Sequence, residues 1–462
     1  MEAVDSMRST ATLTALFLVT SMMLAGPVLA DDDTVTVCQD GSCDRGTIQA
    51  GINNADPGDR VVVSDGTYTE QITIDKSIAL VGNATIEAPE ALEGDEDGRS
   101  NLVTVVGGDT EAKIAGFTIT GPVDGLDSGI QIKDGAFALV EDNAILAIRD
   151  DPISGAQHGV GVTVGPMWTD AGTPGEAVVT DNVIQDFQKS AVTVGLDGSQ
   201  ATITGNDIAC SGDDATDTIA QDAIRVWQAA SADIVSNTVT DCFQTIDDAA
   251  RGVGVHLSNG VHDTTIVDNK FEGAQTAILG FNLDAALMNV KIAENTIDAG
   301  ADGDGGVYLA GTAYGLTIED NIVTGQDSLG VFVGPDTSYV DAPDSEDVRV
   351  TDNLFADNDA PALWVRQSAP NVDAHFNEFD GNELGVLNTD DDAIDAAHNW
   401  WGSPAGPTLL EATSDVTGDA IEGPVAFAPF CLDSDCTANE PVHESPAPHA
   451  AVPPVAVPPA GP

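Results

Sequence analysis

Apolar and polar residues alternate over four or five positions at a time along most of this chain, and run after run stops at an asparagine. Examples are VEDNAI, VTDNVI, IVSNTV, IAENTI and VTDNLF. A period of two predicts a strand with one buried face. The asparagines are Asn143, Asn182, Asn206, Asn237, Asn269, Asn295, Asn321, Asn353, Asn377 and Asn399, at successive spacings of 39, 24, 31, 32, 26, 26, 32, 24 and 22 residues. The unit is thus about 22 to 26 residues, lengthened in places by an insertion. Asparagine between strands marks a tight turn, because it tolerates left-handed backbone and its amide can bond the backbone or a stacked neighbour. Units this short cannot bury a face alone, so they must stack. The pattern predicts an all-β parallel β-helix, a solenoid of about a dozen coils, with the asparagines forming an internal hydrogen-bonded ladder.

A second series of strands reads GIQIK, GVTVG, AVTVG, AIRVW, GVHLS, AILGF, GVYLA, GVFVG, ALWVR and GVLNT. Its second and fourth positions are nearly all Ile, Val or Leu, so they point inward and the third points out. That outward column is Gln131, Thr163, Thr193, Arg225, His256, Leu279, Tyr308, Phe332, Trp364 and Leu387. The fifth position, also outward, adds Lys133, Trp227, Phe281 and Arg366. Neighbouring coils place Arg225 and His256 about one strand spacing apart, roughly 4.8 Å.

Composition sharpens this picture. The chain has 462 residues with 47 Gly but only 13 Phe, 5 Trp and 4 Tyr, so a face half built of large, aromatic or cationic side chains stands out. Charge is extreme: 15 basic against 76 acidic residues, net −61, spread over the whole length. Such a chain repels itself at low ionic strength, whereas about 1 M salt shortens the Debye length to roughly 3 Å. The distribution resembles that of haloarchaeal proteins, and it excludes nucleic acid as a partner. It also lowers the value of any single acidic cluster as a signal of a site.

The ends differ from the middle. Residues 7–30 read as a secretory signal, with Arg8, an apolar run and Val28-Leu29-Ala30 before Asp31. No other apolar run approaches the ~18 residues of a membrane span. The expected organisation is a signal peptide at 1–30, a β-helix domain with its caps at 31–436, and a proline-rich, unpacked tail at 437–462. The expected location is secreted or at the cell surface, and the sequence leaves the oligomeric state open.

Cysteines fit the stacking. Cys210 and Cys242 follow the equivalent Asn206 and Asn237 by four and five residues, so they fall on neighbouring coils within reach of a disulfide. Closing that loop is worth on the order of 3 to 4 kcal/mol in the chain-entropy model. Cys38 with Cys43 and Cys431 with Cys436 form local pairs, one at each end.

The repeats resemble those of the right-handed parallel β-helix superfamily, which includes pectate lyases, carbohydrate-binding and sugar-hydrolysis proteins and NosD-like periplasmic proteins. The segment TIQAGINNADPGDRVVVSDGTYTEQITIDKSIALVGN, Thr47 to Asn83, resembles the usual entry, a short amphipathic helix covering the first coil. NWWGSPAGP, Asn399 to Pro407, resembles the usual end. Trp400 and Trp401 then cap the open end of the solenoid and GSPAGP ends pairing, since an uncovered end is a sheet edge with exposed core. The resemblance spans roughly residues 46–430 and implies a fold more strongly than a function.

For function, the outward column supports two readings: a loop or partner packs on it, or it is a groove for an extracellular polysaccharide. In the groove, sugar rings stack on Trp227, Phe281, Tyr308, Phe332 and Trp364, with Tyr308, Phe332 and Trp364 as the contact ladder, and Arg225 and Arg366 bind acidic or hydroxyl groups. A polysaccharide lyase needs a base near the uronate C5 proton and a cation for the resulting anion, and Arg225, His256 and Tyr308 are the candidates. A glycosidase acting on the same face fits the column too, as does a structural cell-surface protein without catalysis. Pectate-lyase vWiDH and RxPxxR equivalents are missing, and Gly212-Asp213-Asp214 lacks the GHG and RIK that accompany the polygalacturonase pair. Copper has no soft-ligand cluster, with only Met167 and Met288 after the leader. Ca²⁺ is possible at Ala301–Gly306 or Asp390–Asp392, although neither completes a known loop.

Overall fold

The alternation of the sequence becomes three parallel sheets of fifteen, fourteen and twelve strands wound around one core. The computed structural model describes residues 33–166, 172–210, 218–244, 251–281, 285–298, 305–335, 345–366, 372–409 and 417–439. Residues 7–30, Met167, Gly212-Asp213-Asp214, Ala301–Asp304 and the tail after Asn439 lie outside them. Each coil contributes one strand to each sheet, as in Phe137–Glu141, Ala144–Leu146 and Val160–Val164. Strands of successive coils pair in register, for example Val140 with Val179 and Ile145 with Ile184.

Ile and Val dominate the inward columns, with Ala112, Ala138, Ala177, Ala201 and Ala232 beside them on the fifteen-strand sheet. Along the twelve-strand sheet Ile86, Ile119, Ile145, Ile184 and Ile208 are fully buried, giving way to Phe271, Phe355 and Phe379 towards the C-terminal end. Two stiff methyl-bearing branches fill the pleat at each level with little entropy to lose.

All ten expected asparagines form one ladder. The Oδ1 of each later asparagine accepts the backbone N–H of the one before it, from Asn143 on Asn182 (3.0 Å) through Asn237 on Asn269 (2.9 Å) to Asn377 on Asn399 (2.7 Å). The amide nitrogens complete the set by donating to buried carbonyls, as Asn269 Nδ2 does to Ile234 O at 2.9 Å. Buried turns would otherwise strand their backbone groups. The residue before each asparagine turns the chain in the left-handed region, usually an acid such as Asp142, Asp268, Asp320 or Asp352. Short polar side chains tolerate that geometry best.

The entry helix spans Ile48–Asn54, with Thr47 Oγ1 accepting the N–H of Ala50 and Ile48 and Ile52 buried. A strand at Thr34–Val37 precedes it and pairs with Arg60–Val63, so the sheet starts one strand earlier than the sequence indicates. Gly51 permits this: a Cβ there would sit 2.5 Å from Val37 Cγ2.

The three cysteine pairs are disulfides, with Cα separations of 5.5 Å for Cys38–Cys43, 4.9 Å for Cys210–Cys242 and 4.8 Å for Cys431–Cys436. At the C-terminal end Trp401 is fully buried and stacks on Phe379 at 4.8 Å, closing the aromatic end of the inner column. Trp400 faces outward, bridged to Glu378. Pairing does not stop at GSPAGP, contrary to expectation. Pro407–Leu409 pairs with Gly418–Glu422, which adds to Leu384–Asn388 and buries Ala420 and Ile421 over the remaining core.

Candidate functional site

The outward face of the fourteen-strand sheet carries the column expected from the sequence as one continuous register. Gln131, Thr163, Thr193, Arg225, His256, Leu279, Tyr308, Phe332, Trp364 and Leu387 are successive partners. Its N-terminal stretch is closed. Gln131, Thr163 and Thr193 are buried, and Lys133 Nζ is held by Asp95 at 2.8 Å and Asp97 at 2.6 Å. The segment between Glu87 and Asn101 therefore lies over this part of the face, and Lys133 serves to dock it.

A charged cluster follows at the middle coils. Asp222, first residue of the strand Asp222–Trp227, has a side chain only 4% exposed and bonds three groups. Lys189 Nζ and Arg225 reach its Oδ2 at 3.2 and 3.3 Å, and His256 Nδ1 reaches its Oδ1 at 3.2 Å. Burial alone would raise the Asp222 pKa. Lys189, then His256 and Arg225, outweigh it and hold the carboxyl far below the usual carboxylate range. Burial has the opposite consequence for His256: it favours neutral imidazole and, helped by Arg225 and Lys189, overcomes Asp222 and lowers the pKa. With Nδ1–H donating to Asp222, Nε2 is the acceptor nitrogen, and it is shielded from solvent without a hydrogen-bond partner. Such an arrangement is chemically a base oriented by a carboxylate, beside two cations that could neutralise an anion.

Tyr308 does not join that cluster. Leu279 occupies the rung between it and His256, leaving the two about two strand spacings apart, roughly 10 Å. Tyr308 instead begins an aromatic run. Its ring stacks on Phe332 at 4.7 Å, and Phe332 meets Trp364 edge-on at 5.2 Å. Two arginines lie on the rings: Arg251 over Tyr308 at 5.7 Å, and Arg366 over Trp364 at 4.8 Å and over Phe332 at 5.8 Å. Phe332 is 1% exposed, so it props its neighbours and offers no platform of its own. Tyr308 and Trp364 are half-buried, and Trp364 Nε1 donates to Thr389 Oγ1 at 3.3 Å.

Trp227 also departs from its expected role. It is 7% exposed, because its indole lies against Gly195, its register partner, where any Cβ would overlap Nε1. Phe281 is half-buried in the fifth-position column between Ser258 and Ala310. Neither stands in the aromatic run.

Asp222, Lys189 and Arg251 belong to this face, and the sequence alone does not single them out. The signal it holds is positional: Asp222 stands at the first outward position of QDAIRVW, the place of Ser128 and Ser190 in earlier coils. Among the Ca²⁺ candidates, Asp390 Oδ1 accepts the N–H groups of Asp391 and Asp392, so its carboxylate closes its own turn.

A family model described as "Right handed beta helix region" matches residues 222–400. Among solved structures, the Dettilon tailspike protein is similar with a TM-score of 0.53 at 14% identity, over 77% of this chain and 68% of that one. A mannuronic acid specific polysaccharide family 6 lyase enzyme from human gut microbiota gives 0.50 at 14% identity, over 83% and 89%. No curated protein matches significantly. At such identities the likeness concerns the fold, and it agrees with the three stacked parallel sheets: the chain folds as a right-handed parallel β-helix.

Proposed function

We propose that this protein binds an extracellular polysaccharide along the outward face of the fourteen-strand sheet. The observation that carries the reading is the run Tyr308–Phe332–Trp364 with Arg251 and Arg366 lying on its rings. Only 15 of 462 residues are basic and 76 are acidic, yet these two arginines lie over aromatic rings. Ring faces backed by guanidinium groups suit a sugar polymer: the C–H faces stack, and the arginines take carboxylates or hydroxyls. Three disulfides support an oxidising, extracellular setting, and no helix among the described residues is long and apolar enough to cross a membrane.

A second reading, cleavage of that polymer, is favoured by one observation: the neutral His256 held by Asp222 beside Arg225 and Lys189. There His256 Nε2 would remove the C5 proton α to a uronate carboxylate while the cations stabilise the anion. Collapse of that anion would form the C4=C5 double bond and break the C4–O bond, the leaving oxygen taking its proton from the imidazolium or water. Tyr308 belongs to the binding run in this reading.

The test is co-sedimentation with a panel of neutral and uronate polysaccharides in molar salt, with ultraviolet absorbance recorded for unsaturated products. Trp364→Ala should weaken binding about tenfold or more, roughly 1.4 kcal/mol, with the melting temperature shifted by only a few degrees. Unchanged binding, or a large stability loss, would remove the groove. Rising absorbance that His256→Gln abolishes would establish elimination.

A further inference from the structure

The geometry points to a divalent metal site on a different sheet, formed by Asp373, His375 and Asp395, which takes an ion of the zinc class. Asp373 and His375 lie on the strand Val372–His375, and Asp395 ends the two-residue strand Ile394–Asp395. Asp373 and Asp395 are register partners on the outward side of the fifteen-strand sheet. Two carboxylates stacked one rung apart repel each other, and at two other places on this sheet a strand carboxylate is met by a lysine. Lys113 pairs with Glu141 and Lys291 with Glu319 in this way. At Asp373 that pattern lapses: Arg349, the preceding residue of the column, bonds Asp347 at 3.0 Å. What faces the carboxylate pair is an imidazole.

His375 supplies the nitrogen donor, on a side chain 27% exposed. Its Nε2 stands 3.1 Å from Asp395 Oδ1, yet that atom is shut off from solvent and makes no well-formed hydrogen bond. One ligand atom from each of the three residues falls within 4.8 Å of the other two. The two carboxylates are exposed, so their side chains have room to close onto one ion at the ~2.0–2.2 Å that zinc requires. Two carboxylates and a neutral imidazole match the charge of a divalent cation. The nitrogen donor selects Zn²⁺, Co²⁺ or Ni²⁺ over Ca²⁺ and Mg²⁺, which prefer oxygen alone. Three protein ligands leave a fourth position open for water or an incoming group.

The neighbouring turn is built differently from the rest of the solenoid. The left-handed position before the ladder asparagine, an acid, Gly or Ser in the earlier coils, is Phe376 and then His398 in these two. Phe376 is 50% exposed and stacks on His398 at 5.5 Å, and His398 lies 6.4 Å from His375 between ring centroids. These rings wall one side of the trio.

The test uses the full chain, stripped with chelator, in molar KCl. Co²⁺ is titrated with detection of its visible absorption and Zn²⁺ by calorimetry, for the wild type, His375→Ala, Asp373→Asn and Asp395→Asn. The wild type should bind one equivalent that each variant loses or holds about tenfold or more weakly. Because the two aspartates are exposed, their variants should keep the wild-type circular dichroism and remain informative if His375→Ala does not fold. Equal stoichiometry and affinity in all four proteins would overturn the site. Displacement of Co²⁺ by equimolar Ca²⁺ would overturn the assignment to the zinc class.

Discussion

Replacing Asp222 by Asn tests whether the charged cluster is one dry unit. The change keeps the shape of the side chain and removes the charge that Lys189, Arg225 and His256 share. The Lys189 side chain is 7% exposed, so this cation would remain largely out of water beside a neutral amide in place of its carboxylate. Breaking one partner out of such a buried set costs about 3–5 kcal/mol, against 0–1 kcal/mol for an exposed pair. The assay is urea unfolding in molar KCl by circular dichroism, with hydrogen exchange of the strands Ser190–Gly195, Asp222–Trp227 and Val253–Ser258. Because coils interact mainly with their neighbours, the loss should appear first in those three strands. The sign with pH is fixed as well. A carboxyl held low in the folded state stabilises it above the unfolded pKa of about 3.9, so the gap between wild type and variant should shrink as the pH falls below that value. A loss under about 1 kcal/mol, unchanged by pH, would show that water reaches Asp222 and that the three partners do not depend on it.

His256 predicts a second pH window. Its folded pKa is lowered, so the unfolded chain takes up the proton first; stability is complete above about pH 6.5 and falls below it, by up to about 1.4 kcal/mol per pH unit. His256→Gln should remove that slope, and parallel stability–pH curves for the two proteins would refute the buried neutral imidazole. Gly195→Ala should force the Trp227 indole off its seat, shifting tryptophan fluorescence and costing about 1–3 kcal/mol; an unchanged spectrum would mean the indole does not lie on that backbone.

Much of this architecture is legible because it is periodic. The ladder asparagines, the outward column from Gln131 to Leu387, the Cys210–Cys242 staple and the closing role of Trp401 each follow from a position counted within a repeating unit. Alternation states which side of a strand a residue faces, and stacking fixes its neighbours at one strand spacing. The same counting fails where a residue's surroundings come from outside the repeat. Whether an outward side chain meets water depends on what crosses above it, as with the Asp95–Asp97 segment over Lys133. Phe332 and Trp227 look like ligand platforms in the sequence because strand periodicity does not register how neighbouring rungs cover one another, as the Tyr308 and Trp364 rings do Phe332 and the Gly195 backbone does Trp227. Asp222 and Lys189 stay hidden there for a different reason: among 76 acidic residues, the position of Asp222 in its strand is a weak signal until its distances to three basic groups are known. The sequence by itself determined the coil, the ladder and the orientation of the strands in the repeating units, since those rest on local periodicity and nearest-neighbour stacking. Only the tertiary structure decided which outward residues are covered and which charges meet, because those depend on side-chain packing between rungs and on aperiodic segments folding across coils.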